Sequence, residues 1–216
     1  MTDSQGSSSR IVGHAIPMLL PAAGEVHVLL VGEAPGPRGA DKSGVPFFGD
    51  AAGRHLYQAL ARMGAVTLPE AVKSMPWDGA QFAAAALAPV AHGVALGNAF
   101  DRCPTDDGIA FRAPSRKELE GPDNIARLAG DLDRLRVRGL KGVVTMGRVA
   151  TRTLDVVLAH APMPWLVRHA VPHPSAQGLL SMAPDRGRGA RMLDLQEEWM
   201  AHCRRAILEC GYPEQP

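Results

Sequence analysis

Four short runs of apolar residues alternate along the chain with longer segments in which apolar residues recur every three or four positions. The short runs cover residues 26–31, 94–96, 142–146 and 166–171. Such runs are typical of strands that are buried on both faces of a sheet. The longer segments predict helices at about 51–62, 124–136, 148–159 and 193–210. This alternation predicts an α/β fold, a three-layer αβα sandwich around a central parallel four-stranded sheet.

The segment 64–92 does not follow the alternation. Its stretch AQFAAAALAPVAHG is compatible with a helix that ends at Pro89, and the preceding SMPWDG is typical of a turn. The chain shows no internal repeat and no linker between separate units. We therefore expect a disordered N-terminal tail over 1–12 and a single domain over 13–216.

Charge and cysteine content narrow the class of protein. The chain has 23 Lys and Arg against 22 Asp and Glu, so any nucleic-acid contact must come from a local basic patch. No apolar run is long enough to span a membrane, and we expect no membrane partner. Three cysteines are too few for a disulfide framework, which favours a reducing compartment. We therefore expect a cytoplasmic monomer.

The first predicted strand leads into a loop rich in glycine and proline, GEAPGPRGADKSGVPFFG, at residues 32–49. Ligands of open α/β sheets bind at the carboxyl ends of the strands, so this loop is a candidate site. A glycine-rich turn can also bind phosphate at a helix N-terminus. However, the chain has neither GxGxxG nor GxxxxGK[ST], which removes the specific support for a nucleotide site. A plain chain reversal remains the alternative.

Four blocks of sequence, taken in order, resemble motifs of the uracil-DNA glycosylase superfamily. They are GEAPG with GVPFFGDAAGRHL downstream, LGNAFDRCP, GVVTMGRVATRTL and VPHPSA. The pattern is most similar to the family 4 type, and the resemblance extends over about residues 26–205. It implies an enzyme that flips uracil out of single- or double-stranded DNA, hydrolyses its N-glycosidic bond and leaves an abasic product.

The chain departs from the family 4 pattern in its cysteines. Those enzymes hold a [4Fe–4S] cluster with four cysteines, whereas Cys103 is the one cysteine here at a matching position. One thiolate cannot hold such a cluster, so we expect a cluster-free relative with no metal and no organic cofactor. Cys103 is then expected to be a buried thiol. Cys203 and Cys210 lie seven residues apart on a predicted helix, as core or surface thiols.

The resemblance also implies a uracil pocket. It assigns uracil binding to Gly32, Ala34, Gly36, Phe47 and Asn98. Phe47 would stack on the base, while Phe48 would belong to the core. Asn98 would present a donor and an acceptor that match uracil and mismatch cytosine. From the residues alone, Phe47 could equally be a core residue and Asn98 a turn residue.

Two residues are expected to be catalytic. His173 lies between two prolines that stiffen the chain, and its ring N–H would stabilise charge on the departing uracil. Better-known uracil glycosylases have Asp where this chain has Ala34, and Glu33 is the nearest carboxylate. Glu33 would orient water or stabilise positive charge on the sugar. Asp41 and Asp50 are alternatives for that role, unless they cap the loop.

A further set of residues is expected to contact DNA. It comprises Arg38, Lys42, Ser175, Gln177, Leu179, Arg186, Arg188 and Arg191. The arginines and the lysine would meet phosphates, and Leu179 or an arginine would fill the gap left by the flipped base. Ser175 could instead cap its turn. The segment that carries the last arginines could also be a flexible exposed loop.

The sequence is compatible with two other functions. One is a protein that binds uracil or abasic DNA with little turnover, which Ala34 in place of an acid keeps possible. The other is a nucleotide-phosphate hydrolase, although the chain has neither phosphate motif and no carboxylate cluster for magnesium.

Overall fold

A computed structural model describes residues 13–107 and 110–214, with the side chain of Arg186 excepted. The tail expected over 1–12 lies outside the described residues. The strands are β1 (Val28–Gly32), β2 (Val66–Thr67), β3 (Val90–Ala91), β4 (Val94–Asn98), β5 (Gly142–Met146) and β6 (Val167–Val171). The helices are α1 (Ala40–Ser43), α2 (Ala51–Arg62), α3 (Gly79–Ala84), α4 (Arg116–Leu119), α5 (Pro122–Val137), α6 (Arg148–His160), α7 (Ala176–Leu180) and α8 (Met192–Glu209), with 3₁₀ turns at Glu70–Lys73 and Pro184–Gly187.

The central sheet is parallel and has the strand order β4-β1-β5-β6. Successive residues of β1 point to opposite faces, so Val28 and Leu30 belong to one apolar cluster and Leu29 and Val31 to another. The first cluster includes residues of α2 and α8, and the second includes residues of α5 and α6. The three-layer α/β fold expected from the sequence is therefore confirmed.

The four sheet strands and the four long helices occur where the sequence predicts them, with ends that differ by at most two residues. The sequence is compatible with a helix that runs to Pro89, but the structure has a shorter one. Helix α3 ends at Ala84, and Ala86 adopts a left-handed backbone with φ of 51°. The chain then forms β3, which pairs antiparallel with β2. Non-glycine residues rarely take this conformation, so composition alone does not indicate the break.

An aromatic cluster holds the loop that precedes α2. The ring of Phe48 stacks on Phe82 at 4.3 Å and meets Tyr57 and Trp77 edge to face. The Tyr57 hydroxyl donates to the carbonyl of Pro46 at 2.8 Å. Phe48 is fully buried, which confirms its expected place in the core. The cluster thus fixes the backbone on one side of Phe47.

Phe47 itself has a left-handed backbone, with φ of 62°. Such a conformation is strained in a residue with a side chain and persists when the surroundings impose it. The indole of Trp77 donates to the carbonyl of Asp50 at 2.7 Å, which holds the other side of the loop. At Gly53 in α2, an added Cβ would lie 1.7 Å from the carbonyl oxygen of Phe47. The helix therefore approaches the loop so closely that only glycine fits.

This close approach makes Gly53 behave unlike an ordinary helical glycine. In a helix, Gly→Ala normally stabilises by about 0.5–1 kcal/mol. We expect Gly53→Ala instead to lower the free energy of unfolding by about 1–3 kcal/mol, the usual cost of forcing extra atoms into a packed region. Urea denaturation of both proteins measures the difference.

Gly130→Ala in α5 is the matched control, since its Cβ would have only Arg134 Nη1 nearby, at 3.6 Å. This variant should be stabilised. If Gly53→Ala were as stable as Gly130→Ala, the contact between α2 and the Phe47 loop would not be close.

Candidate active site

The carboxyl ends of the four parallel strands meet at one edge of the sheet and carry the candidate residues. Gly32 ends β1 and pairs in register with Asn98, which ends β4. His173 follows β6 by two residues. The parallel ladder continues past the strands, since the amide of Ala99 donates to Gly32 at 2.8 Å and that of Phe100 to Glu33 at 2.9 Å. The backbone thus fixes the loops that follow β1 and β4 against each other.

Gly32 separates the Phe47 ring from the Asn98 carboxamide. A Cβ on Gly32 would lie 2.5 Å from Phe47 Cε1 and 3.0 Å from Asn98 Oδ1. Both side chains are only 6% exposed. Asn98 Oδ1 is buried and accepts no hydrogen bond from any described residue. Buried acceptors are nearly always paired, so this oxygen is available to accept a hydrogen bond from a water molecule or a ligand.

His173 is held in a defined ring orientation. Its Nδ1 accepts a hydrogen bond from the amide of Ser175 at 3.2 Å. A Cβ at Gly178 would lie 1.9 Å from the His173 carbonyl oxygen, and one at Gly147 would lie 3.1 Å from the His173 Cβ. Burial lowers the pKa of the imidazole. With Nδ1 as acceptor, the neutral ring carries its proton on Nε2 and can donate from there.

Glu33 and His173 both line two neighbouring cavities. The larger is a cleft of about 1090 Å³, and the smaller has about 240 Å³. Burial raises the pKa of the Glu33 carboxyl. A carboxylate with a raised pKa is a better proton acceptor near neutral pH. Phe47 and Asn98 contribute to the lining of neither cavity.

The other two acidic candidates are bound to the loop. The carboxylate of Asp50 accepts from the amide of Ala40 at 3.2 Å, and Asp41 accepts from the amide of Gly13 at 3.0 Å. A Cβ on Gly36 would lie 2.4 Å from Asp50 Oδ1, so the glycine makes room for this carboxylate. Of the two readings left open by the sequence, the structure therefore favours loop capping over water activation.

The structure places the expected uracil-binding residues at three points. Gly32, Phe47 and Asn98 lie together, and Ala34 lines the smaller cavity beside Glu33. Gly36 lies against the carboxylate of Asp50. The role of these residues in uracil binding stays a prediction.

Sequence reasoning missed the basic residues at the start of α6. Arg148 and Arg152 line the large cleft together with Gln177. Arg152 pairs with Glu120 at 3.0 Å, whereas Arg148 is exposed and has no ion-pair partner within 13–107 and 110–214. The sequence did contain a signal for Arg148. This residue follows the second glycine of the motif GVVTMGRVATRTL, where α6 begins at the carboxyl end of β5.

The structure locates most of the residues expected to contact DNA. Arg38, Gln177, Arg188 and Arg191 are exposed, and Lys42 is half-buried. Ser175 caps α7, because its hydroxyl accepts from the amide of Gly178 at 3.3 Å, and it also lines the cleft. Arg186 lies in the 3₁₀ turn Pro184–Gly187, and its side chain is outside the described part. Their contact with DNA stays a prediction.

The structure corrects the role expected of Leu179. This side chain is 1% exposed and belongs to the apolar cluster beneath α8. Because α7 turns Leu179 inward, its side chain cannot enter the gap left by a flipped base. The exposed residue of this helix at the cleft is Gln177.

All three cysteines are buried. Burial of Cys103 agrees with its expected place as a buried thiol. Burial also raises the pKa of Cys203 and of Cys210 to about 12 in each case, so neither thiol ionises near neutral pH. Among the residues that the structure describes, no group of three or more His, Cys, Asp or Glu side chains is arranged to hold a metal ion.

Residues 21–188 match the Uracil DNA glycosylase superfamily. The chain belongs to this superfamily. Its members are DNA glycosylases, and the finer resemblance to the family 4 type stays a prediction. Among solved structures, SMUG2 from Pedobacter heparinus is 12% identical with a TM-score of 0.48, over 84% of this chain and 76% of that one. A search of curated proteins gives no match. No helix of the described residues is long and apolar enough to cross a membrane.

In this member of the uracil-DNA glycosylase superfamily, His173 should be neutral at pH 7, with its proton on Nε2. The expectation follows from the lowered pKa and the hydrogen bond from Ser175. Long-range ¹H–¹⁵N spectra of the imidazole, with His173→Gln to assign the signals, measure the protonation state. A doubly protonated ring at pH 7, or a proton on Nδ1, would contradict this geometry.

Proposed function

We propose that this protein removes uracil from DNA by hydrolysis of the N-glycosidic bond of a flipped-out nucleotide, which leaves an abasic site. The observation that carries the proposal is the buried, unpartnered oxygen of Asn98 beside the Phe47 ring. Together they offer a hydrogen-bonding edge and a stacking face of the kind a single base requires. Membership of the superfamily supports the same reaction class.

Base selection rests on the carboxamide of Asn98. Its Oδ1 accepts from uracil N3–H, and its Nδ2 donates to uracil O4. Cytosine has an unprotonated N3 and an amino group at position 4, so both contacts would be reversed. A site that leaves buried polar groups unpaired with the wrong base rejects that base strongly. Asn98 therefore distinguishes uracil from the cytosine that DNA normally contains.

Departure of the base rests on His173. Negative charge develops on the uracil ring as the bond to the sugar breaks. The Nε2–H of a neutral imidazole then donates to uracil O2, and this bond strengthens in the transition state. The lowered pKa suits the role, since the ring acts as a hydrogen-bond donor without being a cation.

Water attack on the sugar rests on Glu33. Glu33 lines the same two cavities as His173, which supports a shared role for the two residues in the reaction. It would orient the water and accept its proton. The negative charge of the carboxylate would also stabilise the positive charge on the sugar. The reaction consumes only water, and the protein needs no metal or organic cofactor for any of these steps.

DNA would occupy the large cleft. Arg148 and Gln177 line it, and Arg38, Arg188 and Arg191 are further exposed cations. With a formal net charge of +1, the chain depends on such local cations to bind phosphates. Uracil-containing DNA and the abasic product are the expected partners.

The direct test incubates the protein with a uracil-containing oligonucleotide and with its undamaged counterpart, followed by alkaline cleavage of abasic sites. We expect strand scission only with uracil. Ala34, in place of an acid that could activate water, favours one rival, a protein that binds uracil-containing or abasic DNA with little turnover. A gel shift without scission would support that rival and contradict the proposal.

Asn98→Asp should reduce excision of uracil. The carboxylate can only accept, so one hydrogen bond is lost and a repulsion is added. We expect a loss of about 2–4 kcal/mol in transition-state stabilisation, measured as kcat/KM on a uracil oligonucleotide. Circular dichroism checks the fold. Unchanged kinetics in a folded Asn98→Asp would remove this residue from the pocket.

His173→Ala should slow single-turnover excision by about 10²–10³-fold, as loss of one donor to a developing oxyanion does. Affinity for uracil-containing DNA should change much less, because the contact strengthens only in the transition state. His160→Ala, at an exposed position of α6, is the matched control and should keep the full rate. An intact rate in His173→Ala would favour the low-turnover rival.

Glu33→Gln should slow the same step by about 10²–10⁴-fold if the carboxylate accepts a proton from water. Rapid-quench single-turnover assays at pH 7 measure it. If the Gln variant kept the wild-type rate, general-base catalysis by Glu33 would be ruled out.

A further inference from the structure

β4 is an edge strand of the central sheet. The backbone groups on its open edge find hydrogen-bond partners in two different ways. Leu19 exchanges backbone hydrogen bonds with Leu96, at 2.9 and 3.0 Å. The N-terminal segment forms its next backbone hydrogen bond only past the end of β4, where the amide of Ile16 donates to the carbonyl of Asp101 at 2.7 Å. The carbonyl groups of Asn98 and Ala99 then need partners from elsewhere, because buried backbone acceptors are rarely left unpaired.

Side chains of α5 supply those partners. Arg127 Nη2 donates to the Ala99 carbonyl at 2.8 Å and lies 3.4 Å from the Asn98 carbonyl. Asn124 Nδ2 donates to the same Ala99 carbonyl at 2.9 Å and to Leu119 at 2.8 Å. The two side chains therefore hold the backbone directly at and after the residue that presents its carboxamide to the base.

The pair is itself held rigidly. Asn124 Oδ1 accepts from Arg127 Nε and Nη2 at 3.2 and 2.8 Å, and Arg127 Nη1 donates to Asp131 Oδ2 at 3.1 Å. Asn124 and Asp131 are buried. A guanidinium carries its donors in a fixed planar fork, so these contacts fix its position as well as its charge. The Asn98 backbone is thus pinned by β1 on one side and by α5 on the other.

We propose that Arg127 and Asn124 are positioning residues for base recognition: they aim the Asn98 carboxamide by holding the carbonyl groups of Asn98 and Ala99. The inference rests on the proposed role of Asn98 in selecting uracil. Neither residue touches the base. A displacement of the backbone at this point moves the carboxamide relative to the Phe47 ring, and hydrogen bonds weaken steeply with poor geometry.

If Arg127 only stabilised the fold, the loss of another member of its ionic network should have the same effect on base discrimination. Asp131 also pairs with Arg134, which lies one turn further along α5 and contacts neither carbonyl. Loss of Arg134 weakens the ionic network without releasing the Asn98 backbone. Arg134→Met is therefore the matched control for Arg127→Met, and Arg127→Lys tests whether one retained donor restores part of the effect.

The experiment measures base discrimination by binding, independently of turnover. Single-stranded oligonucleotides carrying 2′-fluoro-deoxyuridine, which resists cleavage, or 2′-fluoro-deoxycytidine at one position are titrated against each protein by fluorescence anisotropy. We expect the ratio of the two Kd values to fall about tenfold in Arg127→Met and in Asn124→Ala, the size of effect of one impaired hydrogen bond. Arg127→Lys should recover part of it. Arg134→Met should lower Tm but keep the wild-type ratio.

Several outcomes would overturn the inference: an unchanged ratio in folded Arg127→Met or Asn124→Ala, an equal drop in Arg134→Met, or no uracil preference in the wild type. If Arg127→Met does not fold, Asn124→Ala decides. Excision by the wild-type protein is measured in parallel on uracil DNA. A wild type that prefers uracil in binding but does not excise it would contradict the proposed function and leave the positioning role standing.

Discussion

The absence of a side chain at Gly32 is the constraint on which the rest of the site depends. Parallel pairing places Gly32 opposite Asn98, and the space that a Cβ would take lies between the Phe47 ring and Asn98 Oδ1. Any larger residue would push apart the two groups that we propose contact the base. This small space is maintained by the register of the sheet, by the left-handed backbone of Phe47 and by the hydrogen bonds that hold the Asn98 backbone.

The residues around that space impose a strained backbone conformation on Phe47. The left-handed conformation of Phe47 is sustained by the aromatic cluster around Phe48, by the Tyr57 and Trp77 hydrogen bonds and by the close approach of α2 at Gly53. Strain of this kind persists at functional sites because neighbouring contacts impose it. If this loop holds the base as we propose, its local stability and the geometry of base recognition are coupled.

The sequence was sufficient for the parts of the fold and site that depend on pattern. Apolar runs located the sheet strands, and the motifs located Asn98 and His173 at their carboxyl ends. It failed where a three-dimensional packing choice decides the outcome. The inward turn of Leu179 and the left-handed break at Ala86 leave no local signature. The bracing of an edge strand by Arg127 depends on how α5 docks, which periodicity does not specify.

We propose that this pocket selects uracil and releases it. The most direct measurement is mass spectrometry of the free bases released in one single-turnover reaction, with excess protein and an equimolar mixture of duplexes that carry uracil, cytosine, thymine or hypoxanthine at one position. We expect stoichiometric free uracil and no cytosine, because the proposed contacts of the Asn98 carboxamide match uracil and mismatch cytosine. Release of cytosine at a comparable rate, or no free uracil from a folded protein, would contradict it.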